Sequence, residues 1–331
     1  MLPEPSLRAR FVISLDFELY WGVLDGTELR DYADHLDGVR DAVPALLETF
    51  ASHRIDATWA TVGMLLAEDF DEALEAAPSY RMLPKSGHRC PYRYASLERV
   101  MPRAGGITHR RRHFARDLAR HIVSTPGQEL ACHGYAHIGY LDARPDPDAL
   151  RADLLAMRAI ASRTLGVSPT SLVFPRNQFD DAAIAASVDA GFPVHRGTSG
   201  KSFEAPAAKE DERGTRRLLR GLDAIADVAA GTRTVGRRAG SIDVPGSRFF
   251  RPLRGVLDPF GELELRRIER ELRAVSETGG VYHLWFHPHN FGRNLRPNLA
   301  RLERILQVAG ELREAGRMTS VTMRDAAKDA A

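Results

Sequence analysis

Short apolar runs alternate with amphipathic stretches along nearly the whole chain, and this rhythm limits the fold more than any single motif does. Strands are expected near Phe11–Leu15, Asp56–Val62, Gln128–Cys132, Ser171–Phe174, Phe192–His195, Ser241–Val244, Val281–Phe286 and Met318–Thr322. Between them lie helical patterns such as Asp148–Leu165, Glu262–Thr278 and Asn298–Ala315. A strand followed by a helix returns the chain to the same end of the sheet, so such units build parallel sheets. Seven or eight of them suit an α/β barrel of the TIM-like kind better than an open sheet. At 331 residues the chain is the right size for one such barrel with insertions, and residues 1–331 are expected to form a single catalytic domain.

Two segments break the rhythm, one near 78–108 and one near 197–214. Connections of that length are usually functional, and both are read as loops over the strand ends that shape a substrate site. The 46 basic and 44 acidic residues leave a formal charge of +2, which offers no strong field for nucleic acid or an anionic membrane. No apolar run approaches the length of a membrane span. Met1–Arg10 holds no apolar stretch of signal length, so the protein is read as cytoplasmic. Cys90 and Cys132 are too few for a disulfide framework and are expected as thiols. A homo-oligomer is compatible with all of this.

Three histidine pairs are spaced four apart, the separation that lets two imidazoles share one ion from a helix face or a tight turn. His109 and His113 enclose three arginines on what reads as a surface helix, and are expected to face solvent. His283 and His287 belong to the run Val-Tyr-His-Leu-Trp-Phe-His, a strand in which four residues span about 13 Å and cannot share an ion. His133 and His137 follow a short strand and sit among small neutral residues, where barrel enzymes place their chemistry. Two imidazoles alone rarely make a catalytic metal site, so a further ligand and a base are needed. Asp16 and Glu18, two apart at the end of the first strand, point to the same side and can supply them.

Ser14-Leu-Asp16-Phe-Glu18 with Trp21-Gly22, then His133-Gly-Tyr-Ala-His137, then Phe174-Pro-Arg176-Asn177, then His287-Pro288 occur in that order. Together they resemble the polysaccharide deacetylase superfamily, the NodB-homology or carbohydrate esterase family 4 proteins. The resemblance implies a deformed (β/α) barrel and metal-dependent removal of an N-acyl group, usually acetyl, from an amino sugar. It also implies His133 and His137 as metal ligands with Glu18 as the third, Asp16 as base, Arg176 as the arginine that orients the base, and His287 as the acid, with His289 its nearby rival. The opposite assignment, Asp16 as ligand and Glu18 as base, stays open, because Phe17 fills the place where many members carry a second aspartate. Gly134 stands where a hydroxyl residue is common, and Pro-Arg-Asn departs from the usual Arg-x-Pro order.

The residue types suit the chemistry. A divalent ion lowers the pKa of water to about 7, a carboxylate can accept its proton, and an imidazole can protonate a leaving amine. A His₂-carboxylate set is compatible with Zn²⁺ first, and with Fe²⁺, Co²⁺ or Ni²⁺. Trp21, Asn177, Trp285 and His289 are the candidate substrate contacts, the tryptophans by stacking on a sugar and Asn177 near a developing oxyanion. The expected substrate is an N-acetylated glycan precursor, nucleotide-linked sugar or natural-product intermediate. Two other readings are a hydrolase of a non-sugar linear or cyclic amide in the same fold and a catalytically silent carbohydrate-binding barrel.

Overall fold

The computed structural model describes residues 8–78, 90–101, 106–200, 205–211, 214–215, 233–253 and 259–328. Strand β1 (Ala9–Phe17) is the hub of the sheet, parallel to β2 (Ala57–Thr61) on one side and to a strand that enters late in the chain on the other. From β2 the sheet continues through β3 (Gln128–Cys132), β4 (Ser171–Leu172) and β5 (Val194–His195), each parallel to the last. A short hairpin follows, β6 (Gly236–Arg238) antiparallel to β7 (Ser241–Asp243), with β7 parallel to β5. Then β8 (Arg248–Phe249) lies parallel to β9 (Val281–Phe286), the strand that flanks β1.

The barrel closes through one continuous segment. Leaving β7, Gly246 still donates to the Gly197 carbonyl at 3.0 Å, and the next residue, Ser247, donates to the His283 carbonyl at 2.8 Å. Residues 241–249 therefore pass from the β5 edge to the β9 edge and join them. Seven stave positions result among the described residues, one of them split into two short pieces, which is the deformation of an otherwise regular parallel barrel. The run expected as an eighth strand, β10 (Met318–Ser320), pairs only with residues 9–11 of β1, below the point where β2 begins its pairing at Ile13. It fills the base and is not a stave.

Alternation along β1 sorts the core into two layers. Phe11, Ile13, Leu15 and Phe17 pack outward beneath the helices, while Val12 joins Ala60, Ala131, Val173, Val194 and Val244 in a narrower cluster inside the ring. The last helix, Met323–Lys328, places Met323, Ala326 and Ala327 in that inner cluster and so plugs the bottom of the barrel. Its first turn is seated on buried polar groups, with Met323 N donating to Thr58 Oγ1 at 2.9 Å and Arg324 N to Glu129 Oε2 at 3.1 Å. Glu129 also accepts from Thr58 and Ser171 hydroxyls, which offset part of the burial that pushes its pKa up.

The segment near 78–108 is not the open cover expected from its composition. Residues 79–89 and 102–105 lie outside the described residues, but Pro91–Val100 is a helix pinned to the barrel by Tyr92, whose hydroxyl donates to Asp153 Oδ1 at 2.9 Å. This packing also corrects the solvent-facing assignment of His109 and His113. His109 meets buried Glu98 at 2.9 Å, and His113 donates through Nδ1 to the His109 carbonyl while Nε2 accepts from Tyr94, so both are buried. Arginine neighbours misled, because their long side chains turn outward while the shorter imidazoles turn in. Among the described residues, no helix is long and apolar enough to cross a membrane. Because Met323 is fully buried inside the ring, Met323→Ala is expected to lower unfolding stability by about 2–5 kcal/mol in denaturant titration; a loss below about 1 kcal/mol would show that the plug is not part of the cooperative core.

Candidate active site

The inward positions above the apolar layer carry the chemistry. On β1 the inward face runs Val12, Ser14, Asp16, and the next inward residue, Glu18, begins the turn that ends the strand. On β3 the series Glu129, Ala131 arrives at His133, and on β9 His283, Trp285 arrive at His287. His137 reaches the same place by a different route. The chain from Gly134 to Ile138 is not helical but a loop with two left-handed residues, Gly134 at φ 71° and His137 at φ 53°.

That loop is held from several sides. Asp153, on the helix Pro147–Leu165, accepts Tyr135 N at 2.7 Å and Ala136 N at 3.2 Å, while Gly63 N and Met64 N donate to the carbonyls of Gly134 and Tyr135. A Cβ on Gly134 would meet Asp153 Oδ2 at 3.1 Å in a backbone region that L residues rarely adopt, so the position requires glycine.

Glu18 lies between the two imidazoles, its Oε2 at 3.3 Å from His133 Nε2 and 3.1 Å from His137 Nε2. The ring orientation of His133 follows from its other nitrogen, since Nδ1 lies 2.7 Å from the Val173 carbonyl and must donate its hydrogen there. In a neutral His133 the Nε2 lone pair then faces a carboxylate oxygen, acceptor against acceptor, with all three side chains buried. A positive charge is needed between them. Without a cation a proton serves: Glu18 is held well below the usual carboxylate range, the His287 and His137 charges outweighing burial, and His133 is raised against burial by the Glu18 and Asp16 carboxylates. The nitrogen and oxygen atoms of Glu18, His133 and His137 all lie within 4.8 Å of one another, a donor set of the kind that holds a divalent ion.

Asp16 stands beside this group in a different pairing. Arg196 grips it with two parallel bonds of 2.7 and 2.9 Å and also donates to Ser14 Oγ and Asn177 Oδ1. The guanidinium lies 4.4 Å from the centre of the Trp285 ring. Although burial opposes ionisation, Arg196 keeps the Asp16 pKa below its ordinary value. His287 Nε2 is 3.6 Å from Glu18 Oε1 and 3.9 Å from Asp16 Oδ2, between the two carboxylates. Of the carboxylates weighed as third ligand, Glu18 groups with the histidine pair and Asp16 does not.

Three expected contacts are placed elsewhere. Arg176 does not reach Asp16: the turn Pro175–Asn177 puts Arg176 at φ 59°, which swings its side chain outward to an ion pair with Asp25 and leaves Asn177 facing Arg196. Trp21 is core, 2% exposed, with Nε1 donating to the His113 carbonyl and its ring edged by Phe70, Tyr94 and Phe114. Phe17 faces the outer layer against Trp59. His289 is buried behind His287 at 4.8 Å between rings, where desolvation lowers its pKa to about 3, and with Glu18 and His287 it makes a second close group of potential ligand atoms. Arg196 is the residue that sequence reasoning missed. Its signal was the alternation itself, because Val194 faces inward and Arg196 is the next inward position beyond the expected strand end.

Arg196 and Trp285 also form the deep wall of a cavity of about 300 Å³, which Asn177, Phe249, Arg248 and Arg251 continue outward. Thr198, Pro206 and Lys209 line its other side.

A family model described as polysaccharide deacetylase matches residues 35–195. No curated protein matches the chain in sequence. Among solved structures, the fold resembles a polysaccharide deacetylase candidate from Mycobacterium smegmatis, with TM-score 0.60 and 14% identity over 99% of this chain and 92% of that one. A second deacetylase candidate, from Pseudomonas aeruginosa PAO1, gives TM-score 0.53 and 14% identity over 98% and 91% of the two chains. The allantoinase Puue gives TM-score 0.55 and 13% identity over 98% and 91%.

The two arginines can be told apart by stability. Arg196→Met strands Asp16 in a buried position and is expected to cost about 3–5 kcal/mol, whereas Arg176→Met breaks a partly exposed pair worth about 1 kcal/mol or less. Since the folded pKa of Asp16 is depressed, its contribution is present above the unfolded value near 4 and disappears as pH falls through the folded value. Denaturant titrations at pH 7 check the ranking, and equal losses for the two variants would overturn it.

Proposed function

We propose that the chain, whose residues 35–195 match the polysaccharide deacetylase family model, is a hydrolase of non-peptide carbon–nitrogen bonds and, more narrowly, a metal-dependent N-deacetylase of an amino-sugar-containing small molecule or short glycan. The observation that carries this reading is the Glu18 carboxylate set between His133 and His137, a buried arrangement that requires a positive charge. These three residues would hold a divalent ion, zinc first among the candidates and iron, cobalt or nickel after it. When bound, such an ion supplies Lewis acidity, polarising an acyl carbonyl and lowering the pKa of water to about 7.

The rest of the chemistry falls to side chains. Asp16, ionised and aimed by Arg196, accepts a proton from the attacking water. Its pairing with Arg196 holds the carboxylate in one orientation and leaves the edge toward His287 as its open side. His287, the most exposed side chain of the cluster, protonates the amine as the C–N bond breaks. Trp285 and Phe249, whose rings are 4.6 Å apart, offer an apolar surface for a sugar ring. Asn177 fixes the outer edge of Arg196 and borders the same space. The barrel thus acts as one catalytic unit, with the 197–214 segment shaping the entrance.

Acetate release from N-acetylated amino sugars, measured with and without a chelator, tests the reading. Asp16→Asn is expected to lower kcat about 10²- to 10⁴-fold with metal content retained, and Glu18→Gln to lose both metal and activity. Elemental analysis of the purified variants separates base from ligand; metal lost from Asp16→Asn but kept in Glu18→Gln would exchange the two roles. Turnover of a cyclic amide in place of an acetylated sugar would move the protein to the second reading, and sugar binding without any product would make it a binding barrel.

A further inference from the structure

The two oxygens of Glu18 have different histidine neighbours. Oε2 lies between His133 and His137, whereas Oε1 is the oxygen that His287 Nε2 approaches, at 3.6 Å. Glu18, His287 and His289 each offer one potential ligand atom, and these three atoms lie within 4.8 Å of one another, as close as those of the first group. His287 continues the extended run of β9 and His289 lies in the 3-10 turn Pro288–Phe291 that follows, so their rings stack at 4.8 Å with 22° between the planes. The second imidazole is held from behind. His35 donates through Nδ1 to the His289 carbonyl at 3.2 Å, and the Tyr32 ring meets the His289 ring edge-on at 5.4 Å. Yet Nδ1 of His289 is buried and has no hydrogen-bond partner among the described residues.

A buried ring nitrogen without a partner is costly, and a neutral imidazole keeps a lone pair that a cation can take up. A carboxylate can bridge two such ions, one oxygen to each, as in two-metal hydrolases. We propose that Glu18 Oε1, His287 and His289 form a second divalent-cation site, bridged to the first through Glu18, filled at raised metal concentration and inhibitory when filled. Its weakness relative to the first follows from charge. Glu18 is already the carboxylate of the first group, and Asp16, the other acid nearby, is gripped through both oxygens by Arg196. A second ion therefore brings its charge to a carboxylate that is shared, and its affinity is expected to be about tenfold or more below that of the first. The inhibition follows from His287, because a nitrogen that coordinates an ion cannot carry a proton to a leaving amine. The route in is short: the His287 side chain is 21% exposed, while the other members of both groups are buried. The site stands on this geometry, and its inhibitory effect rests on the deacetylase reading above for the role of His287.

Equilibrium dialysis of the metal-stripped full chain against graded Zn²⁺, followed by elemental analysis, tests the site. Wild-type protein is expected to bind two ions per chain, the second about tenfold or more weakly, whereas His289→Gln and His287→Gln each bind one, with folding checked by circular dichroism. Acetate release over the same range of Zn²⁺ is expected to rise with the first ion and to fall about fivefold or more with the second, and the fall is expected to vanish in His289→Gln. One ion per chain in the wild-type protein overturns the proposal whatever the variants do. A second ion that both variants keep overturns it as well, since that ion is then an adventitious one on the surface, and so does a second ion that leaves acetate release unchanged. The two readings fail separately: two ions, one of them lost in each variant, without acetate from any acetylated sugar defeats the deacetylase and leaves the second site standing, whereas acetate release by a chain that binds only one ion does the reverse.

Discussion

Two imidazole nitrogens and a carboxylate oxygen meet at the top of this barrel within hydrogen-bond distance, all three side chains buried. The Val173 carbonyl claims the Nδ1 hydrogen of His133, which leaves a lone pair directed at Glu18. Such a contact is repulsive until a positive charge occupies it, and in a low-dielectric interior the repulsion cannot be diluted by solvent. Every nearby element then has a reason for its position. Asp153 holds the loop that delivers His137, Gly134 gives that loop its left-handed turn, and Arg196 keeps the second carboxylate, Asp16, from competing for the same charge.

The barrel makes this crowding affordable in structural terms by separating its layers. Small aliphatic residues fill the ring below the site, and the C-terminal helix seals the bottom with Met323, Ala326 and Ala327. Within the ring, Glu129 beneath the helix and Ser14 between Arg196 and His283 are buried polar groups satisfied by their neighbours. The closing segment, residues 241–249, does double service. It completes the ring by passing from β5 to β9, and its second half turns Arg248 and Phe249 toward the cavity.

The parts of the fold and site that could be read in the sequence are those governed by local period. The strand-helix rhythm located β1, β2, β3 and β9 closely, and alternation along β1 placed Asp16 and Glu18 on one face. His133 and His137 were recognisable from spacing and context, though not the left-handed loop that joins them. Long-range choices were not readable. Whether Arg176 or Arg196 meets Asp16 depends on the backbone sign at Arg176, where a positive φ turns a motif residue outward to Asp25. Trp21 looked like a platform because it follows the first motif, yet its neighbours Phe70, Tyr94 and Phe114 come from distant segments that enclose it. Likewise His109 and His113 are buried by a helix, Pro91–Val100, that composition alone presented as loop.

The distribution of charge follows from the same economy of partners. At the top of the barrel two carboxylates, Asp16 and Glu18, face one guanidinium and a set of imidazoles, so this end attracts positive charge. The bidentate grip of Arg196 holds Asp16 ionised and in one orientation before any substrate arrives, so the freedom that would otherwise be lost at the reacting carboxylate is already given up in folding.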